Sequence, residues 1–204
     1  MGFRSRVMEI PWVYEKLQHG LSRPNAQSWL VSEVIHPQSH HHILDVGCGN
    51  AVILRDLGVA RYVGIDHNSG CIAKAQRDFG SKGEFHNIDL TAQNVTKLGK
   101  FDSVLLLGVL HHLSDRDITQ LLINVSNVLN PGGNLVTFDC AIEDGQHPAA
   151  RLLARLDRGR YARSGLGYRK LIEQSFSVQQ EIIRHDLLRV PYTHVIFRAQ
   201  ARSD

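Results

Sequence analysis

The residues of this chain best placed to do chemistry are acids and histidines at the ends of short apolar runs. Asp45 lies in Ile43-Leu44-Asp45-Val46, which opens at once into Gly47-Cys48-Gly49-Asn50-Ala51. Glycines there let the backbone turn tightly and approach a ligand with no Cβ in between. Asp66 ends the next run, where a carboxylate can accept hydrogen bonds from both hydroxyls of a ribose. Asp89 follows the third run, in Asn87-Ile88-Asp89-Leu90, placed to meet an adenine amino group. Three acids at three successive strand ends are a far more specific pattern than the glycine turn alone. The fourth run leads into Gly108-Val109-Leu110-His111-His112-Leu113, and the fifth ends on Asp139 and Cys140. An imidazole, which ordinarily titrates near 6.5, suits proton removal at neutral pH.

These residues need elements to position them. From Ile43 onward, β-branched runs alternate with helical patterns, the signature of a parallel sheet with crossover helices. The pattern predicts strands over His42–Val46, Tyr62–Asp66, Glu84–Ile88, Ser103–Leu107 and Asn134–Phe138, with a helix after the glycine turn. Another helix is expected after Ser114, an N-cap with Asp117 three residues later, ending before Asn130-Pro131-Gly132-Gly133. Val178–Asp186 and Thr193–Ala199 read as a closing antiparallel hairpin. Residues 1–36 carry two expected helices, one opened by Pro11 and one near Pro24 and Asn25, and residues 141–170 form an arginine-rich insertion. Both segments are expected to cover the carboxyl edge of the sheet, where ligands of open parallel sheets bind. The run His40-His41-His42 reads as a loop entering a strand. Neighbours in an extended segment face opposite ways, so no metal is assigned to it.

On these residues the chain resembles the class I S-adenosylmethionine-dependent methyltransferases, continuously over about residues 42–140. Asp45-Val46-Gly47-Cys48-Gly49 is similar to their first motif and Gly64-Ile65-Asp66 to their ribose-binding motif. Asp89 matches their adenine contact, and Leu129-Asn130-Pro131-Gly132-Gly133 the turn before their fifth strand. Phe101-Asp102-Ser103-Val104 through Leu113 is similar to their fourth motif. Ala51 departs from the pattern, since the family often has a third glycine there. The resemblance implies an α/β, Rossmann-like, seven-stranded, mostly parallel sheet with an antiparallel C-terminal hairpin, N-terminal helices and a helical insertion after the fifth strand. The whole chain, 1–204, would be one methyltransferase domain: 1–36 a helical cover, 42–140 the cofactor core, 141–170 a lid, and 171–204 a closing helix and hairpin. It implies S-adenosylmethionine as cofactor, contacted by Asp45, Gly47, Cys48, Gly49, Asp66, His67, Ile88, Asp89, Leu107 and Gly108. It also implies His112 as a general base acting with Tyr14, because certain small-molecule members place a histidine just before this leucine. His111, Asp139, Arg158 and Arg163 are expected to bind the substrate. A nicotinamide-dependent oxidoreductase would share the glycine turn and the ribose acid, but its fingerprint needs glycine where Val52 stands. A silent cofactor-binding or partner-binding domain is the remaining alternative, because such motifs report the cofactor and not turnover.

Composition narrows the classes further. The 204 residues are 43% hydrophobic and 21% charged, ordinary for one globular α/β domain. No apolar run approaches the roughly 20 residues that span a bilayer, and the first residues lack the apolar core of a secretory signal. The expectation is a cytoplasmic protein. The three cysteines, Cys48, Cys71 and Cys140, form no C-x-x-C pair and are read as reduced thiols. A net charge of +3 falls short of a dedicated nucleic-acid binder, so a small-molecule acceptor is expected. Arg151, Arg155, Arg158, Arg160, Arg163 and Arg169 in the insertion read chiefly as a solvated face and alternatively as a clamp for a carboxylate or phosphate.

Overall fold

The structure is a computed structural model that describes residues 22–89, 93–156 and 161–202. Strands β1 (His42–Val46), β2 (Arg61–Asp66), β3 (Glu84–Asn87), β4 (Phe101–Leu107), β5 (Leu129–Cys140), β6 (Phe176–Arg184) and β7 (His194–Ala201) form one sheet in the order β3-β2-β1-β4-β5-β7-β6. The first five run parallel, and β7 is antiparallel to both β5 and β6. Parallel strands covered on both faces should be apolar throughout. Ile43, Leu44 and Val46 of β1 and Val104, Leu105 and Leu106 of β4 are accordingly all buried.

Helices sandwich this sheet. On one face α3 (Asp115–Ser126) and α5 (Gly165–Ile172) bury Ile118, Leu121, Leu122, Tyr168 and Ile172 against Leu44, Val104 and Leu135. On the other, α1 (Ala26–Leu30), its continuation Val31–Ile35 and α2 (Ser69–Phe79) pack Leu30, Val34, Ile35, Ala75 and Phe79 against Ile43, Leu105 and Ile196. The remaining helix, α4 (Pro148–Leu156), lies in the insertion after β5. The order reverses at β1, which is flanked by β2 and β4. Chains leaving the carboxyl ends of β1 and β4 therefore part to opposite sides and open a crevice.

Several expectations shift. The helix expected after the glycine turn is one 3-10 turn, Val52–Arg55. The connection must return to β2 by Arg61, and β-branched Val52 and Ile53 followed by Gly58 disfavour further turns. β5 begins at Leu129, which pairs with Phe101, and the Asn130-Pro131-Gly132-Gly133 turn is absorbed as a register shift before Ser103 pairs with Asn134. Asn130 Nδ2 donates to Asp102 Oδ1 at 2.7 Å, pinning that irregularity. The closing helix starts at Gly165, capped by Ser164, so the insertion is shorter than 141–170. The helix near Pro24 and Asn25 is Ala26–Leu30, while the one expected from Pro11 lies outside the described residues. Ser22 bridges Leu188 and Arg23 N–H donates to Leu187 O at 3.0 Å, bringing this N-terminal segment to the β6–β7 connection. Among the described residues no helix is long and apolar enough to cross a membrane.

The N-cap expected at Ser114 is present, its Oγ accepting from Asp117 N–H at 3.3 Å. Removing such a cap costs about 1 kcal/mol. Ser114→Ala should lower the unfolding free energy by that amount in urea titrations, with an unchanged denaturant slope. No loss would mean that the cap contributes nothing to α3.

Candidate active site

The glycine turn is built by the two strands beneath it. Gly47 N–H and Cys48 N–H both donate to Ile65 O, at 2.8 and 3.0 Å, so β2 holds the turn that leaves β1. Gly47 and Gly49 take φ of 77° and 52°, a region glycine enters without penalty. Ala51 also has φ of 54°, which costs an alanine roughly 1–2 kcal/mol. Its fully buried methyl recovers part of that, about 0.8 kcal/mol. Below the turn, a Cβ on Gly64 would come within 2.8 Å of Cys48 Sγ, so glycine at 64 is what lets the turn sit down on β2. Above it, a Cβ on Gly49 would meet nothing within 4 Å. The turn is thus supported from below and open from above.

Two acids flank it differently. Asp66 accepts from Gly49 N–H through Oδ2 at 2.9 Å and from Asn68 N–H through Oδ1 at 2.7 Å, joining the turn to the start of α2. His67 stands exposed, its Nδ1 3.4 Å from Asp66 Oδ1. Asp45 is buried under the turn. Its Oδ2 accepts from Tyr62 O–H at 2.6 Å, and its Oδ1 has no hydrogen-bond partner among the described residues. Burial pushes the Asp45 carboxyl up from 3.8 to about 7, against the pull of the Tyr62 hydrogen bond, and Asp66 adds to the rise. Burial likewise pushes the Cys48 thiol upward, which makes it a packing group and not a nucleophile. At the end of β3, Asn87 Nδ2 donates to Asp66 O at 2.9 Å and Ile88 N–H to the same oxygen at 3.2 Å. Asp89 follows, exposed at the same edge.

Across the crevice, Leu107 ends β4, and Gly108 N–H donates to Phe138 O at 2.6 Å, tying the next turn to β5. The 3-10 turn Leu110–His112 then separates the two histidines. His111 points inward and is buried. Asp139 Oδ1 accepts its main-chain N–H at 3.1 Å and lies 2.8 Å from its Nδ1. Among the described residues, His111 Nε2 and Asp139 Oδ2 find no partner. Burial pushes the Asp139 carboxyl up, and its bonds to His111 pull it back. His112 is exposed, with its ring centroid 4.0 Å from that of His111.

Arg163 is no free clamp. Its guanidinium donates to Asp115 and to the carbonyls of Leu110, Leu113 and Tyr161, while Tyr161 N–H donates to His111 O at 3.1 Å. It staples the histidine turn from outside. Tyr14 and Arg158 lie outside the described residues. Tyr62 beneath Asp45 and the pairing of His111 with Asp139 are the features that the sequence reading missed. The available signal for the second was a charged residue closing the apolar run of β5.

A methyltransferase-domain family model matches residues 44–135, the stretch that carries every one of these strand-end turns up to β5. Over that stretch, a little under half of the chain, the sequence is similar to a methyltransferase domain. The fold is that of the N-methyltransferase NodS from Bradyrhizobium japonicum WM9 (TM-score 0.70, 13% identity, 97% of this chain and 94% of that one). It is also that of a TehB-like S-adenosylmethionine-dependent methyltransferase from Corynebacterium glutamicum (TM-score 0.69, 17% identity, 93% and 95% covered). A tRNA U34 carboxymethyltransferase of Psychromonas ingrahamii is 39% identical over 110 residues, half of this chain and 32% of that protein. The chain thus spans about a third of the length of that curated relative. The residues present fit S-adenosylmethionine, the cofactor that the resemblance implies. The open face at Gly49, the buried unpartnered Asp45 Oδ1 and three acids along one edge form a polar cradle for a nucleoside with an amino-acid tail.

The raised Asp45 carboxyl should set a pH dependence of stability. Between about 4 and 7 the folded chain keeps a proton that the unfolded chain has already released, so this group's contribution falls as pH rises through that window. Asp45→Asn, which keeps an acceptor for Tyr62, should lose that slope. Urea midpoints at pH 5 and pH 8 should shift in favour of the variant at the higher pH, and parallel changes in both proteins would contradict the assignment.

Proposed function

We propose that this chain transfers a methyl group from S-adenosylmethionine to an O–H or N–H of a small-molecule acceptor, with His111 as general base and Asp139 as its positioning partner. The observation that carries this reading is the buried His111–Asp139 pair beside Gly108. Asp139 takes Nδ1–H and leaves the Nε2 lone pair with no protein partner. A carboxylate on Nδ1 fixes the tautomer in which Nε2 accepts a proton. When bound, S-adenosylmethionine supplies the methyl group as an already reactive sulfonium electrophile. Asp66 and Asp89 are assigned to its ribose and adenine. Gly47, Cys48 and Gly49, together with Ile88, Leu107 and Gly108, form the walls of the cradle. With the cofactor bound, His111 Nε2 would take the proton of the acceptor heteroatom as that atom accepts the methyl group from the sulfonium, which would leave as the thioether. Orientation in such reactions can supply roughly 7–11 kcal/mol, so the base contributes alongside proximity.

The base role expected of His112 passes in this proposal to His111, because His112 is exposed and His111 faces Gly108, its Cε1 3.8 Å from where a Cβ would stand. On an acceptor found by screening with labelled methyl donor, His111→Ala should lower kcat by roughly 10²–10⁴-fold, the usual range for general base catalysis. His112→Ala should change it only a few-fold. The reverse order would return the base to His112.

Asp66→Ala should weaken S-adenosylhomocysteine binding by about 1.5–3 kcal/mol, the cost of losing a charged hydrogen-bond partner. Calorimetry on a variant shown to be folded by circular dichroism checks this, and an unchanged Kd would remove the ribose assignment.

An RNA nucleoside as acceptor is the second reading, favoured by the carboxymethyltransferase relative named for tRNA U34. Label transfer to total tRNA, with none to small acceptors, would select it.

A further inference from the structure

Beyond β5 the chain runs through Gln146 and His147 into α4. With His185, Tyr192 and Thr193 of the β6–β7 connection, these residues wall a cavity of about 160 Å³. Its buried polar residues are Thr193 at 1% exposure and Gln146 at 9%, while His147 and His185 are exposed. The polar groups around it are rich in donors. Gln146 Oε1 accepts from Glu143 N–H, which leaves its buried Nε2 with no protein acceptor. His147 Nδ1 accepts from Ala149 N–H at 3.1 Å, so the neutral ring carries its proton on Nε2. His185 Nδ1 and Thr193 Oγ1 share one hydrogen bond of 3.0 Å, and whichever group supplies that proton, the pair keeps one further donor. The cavity lies at the first turn of α4, whose end carries partial positive charge. Among the described residues no carboxylate lines it.

We infer that this cavity binds the oxyanion, carboxylate or phosphate, of the small methyl acceptor. The inference rests on the function proposed above. Its volume of about 160 Å³ is well above the roughly 10–15 Å³ that one water needs on the same measure, enough for such a group and its neighbouring atoms. It also adjoins the end of β5. Thr193 O accepts from Ala141 N–H at 2.9 Å, and Ala141 is two residues beyond Asp139, roughly 7 Å at the strand rise. An acceptor anchored here by its anionic end would present a heteroatom a few bonds away to His111. The arginines expected to hold such an anion are not needed. Arg163 is committed to Asp115 and to three carbonyls, and Gln146 keeps a buried unused donor at the cavity itself.

The test is a titration of the full ¹⁵N-labelled chain with inorganic phosphate and with acetate at constant ionic strength, read on the Gln146 side-chain amide. Saturable shifts are expected. Gln146→Glu is isosteric and keeps the acceptor for Glu143 N–H, and it should raise the phosphate Kd about tenfold or more, as loss of a charge-assisted bond implies. Thr193→Val should raise it severalfold, and both variants should bind S-adenosylhomocysteine like wild type. The same shifts with sodium chloride alone, an unchanged phosphate Kd in both variants, or shifts produced by single-stranded RNA and by neither small anion would each overturn the inference. A chain that binds phosphate here but not S-adenosylhomocysteine would overturn the methyltransferase reading and leave the anion site standing. Binding of S-adenosylhomocysteine without phosphate would overturn the anion site alone.

Discussion

The carboxylate of Asp139 is the fixture on which the proposed catalytic side of this molecule depends. It sits 2% exposed near the end of β5 and accepts both the main-chain N–H and the ring of His111, two bonds that convert a turn after β4 into a rigid shelf. A carboxylate so placed is costly to desolvate, which is why burial pushes it upward. The cost is tolerable only because the histidine is locked from other directions as well. Gly108 is tied to Phe138, Tyr161 holds His111 O, and Arg163 grips Leu110 and Leu113. Removing Asp139 would leave a buried imidazole with neither a fixed tautomer nor a fixed orientation.

The cofactor side obeys the same constraint. Parallel strands all end at one edge, and each delivers main-chain N–H groups there that no neighbouring strand can take. Asp66 satisfies Gly49 and Asn68, and the carbonyl of Ile65 takes Gly47 and Cys48. Acids at strand ends therefore serve the fold before they serve a ligand. Asp45 is the exception, with one oxygen given to Tyr62 and the other to nothing in the protein. A site that concentrates acid in this way is prepared for a ligand carrying hydroxyls, amines and positive charge.

What the sequence disclosed follows from range. Strands β1, β2 and β4 and the cap of α3 were legible because they are written in adjacent residues: continuous apolar runs, a serine, an acid three positions on. The acids at the ends of β1, β2 and β3 were legible for the same reason. Local pattern failed where the decision is made at a distance. His111 and His112 are neighbours of the same type, and only the position of Asp139 on a different strand decides which one turns inward. Arg163 read as a clamp because charge alone does not reveal that Asp115 and three carbonyls already occupy it. The expected helix after Gly49 shrank to a single 3-10 turn because the return to β2 sets its length, not its own periodicity.

The central claim is that the crevice between β1 and β4 is a site for S-adenosylmethionine. Calorimetric titration of the chain with S-adenosylmethionine and, separately, with NADH tests it most directly. The account predicts saturable one-to-one binding of S-adenosylmethionine and no heat of binding from NADH, because Val52 stands where a pyrophosphate site needs glycine. Saturable binding of NADH with none of S-adenosylmethionine would contradict it.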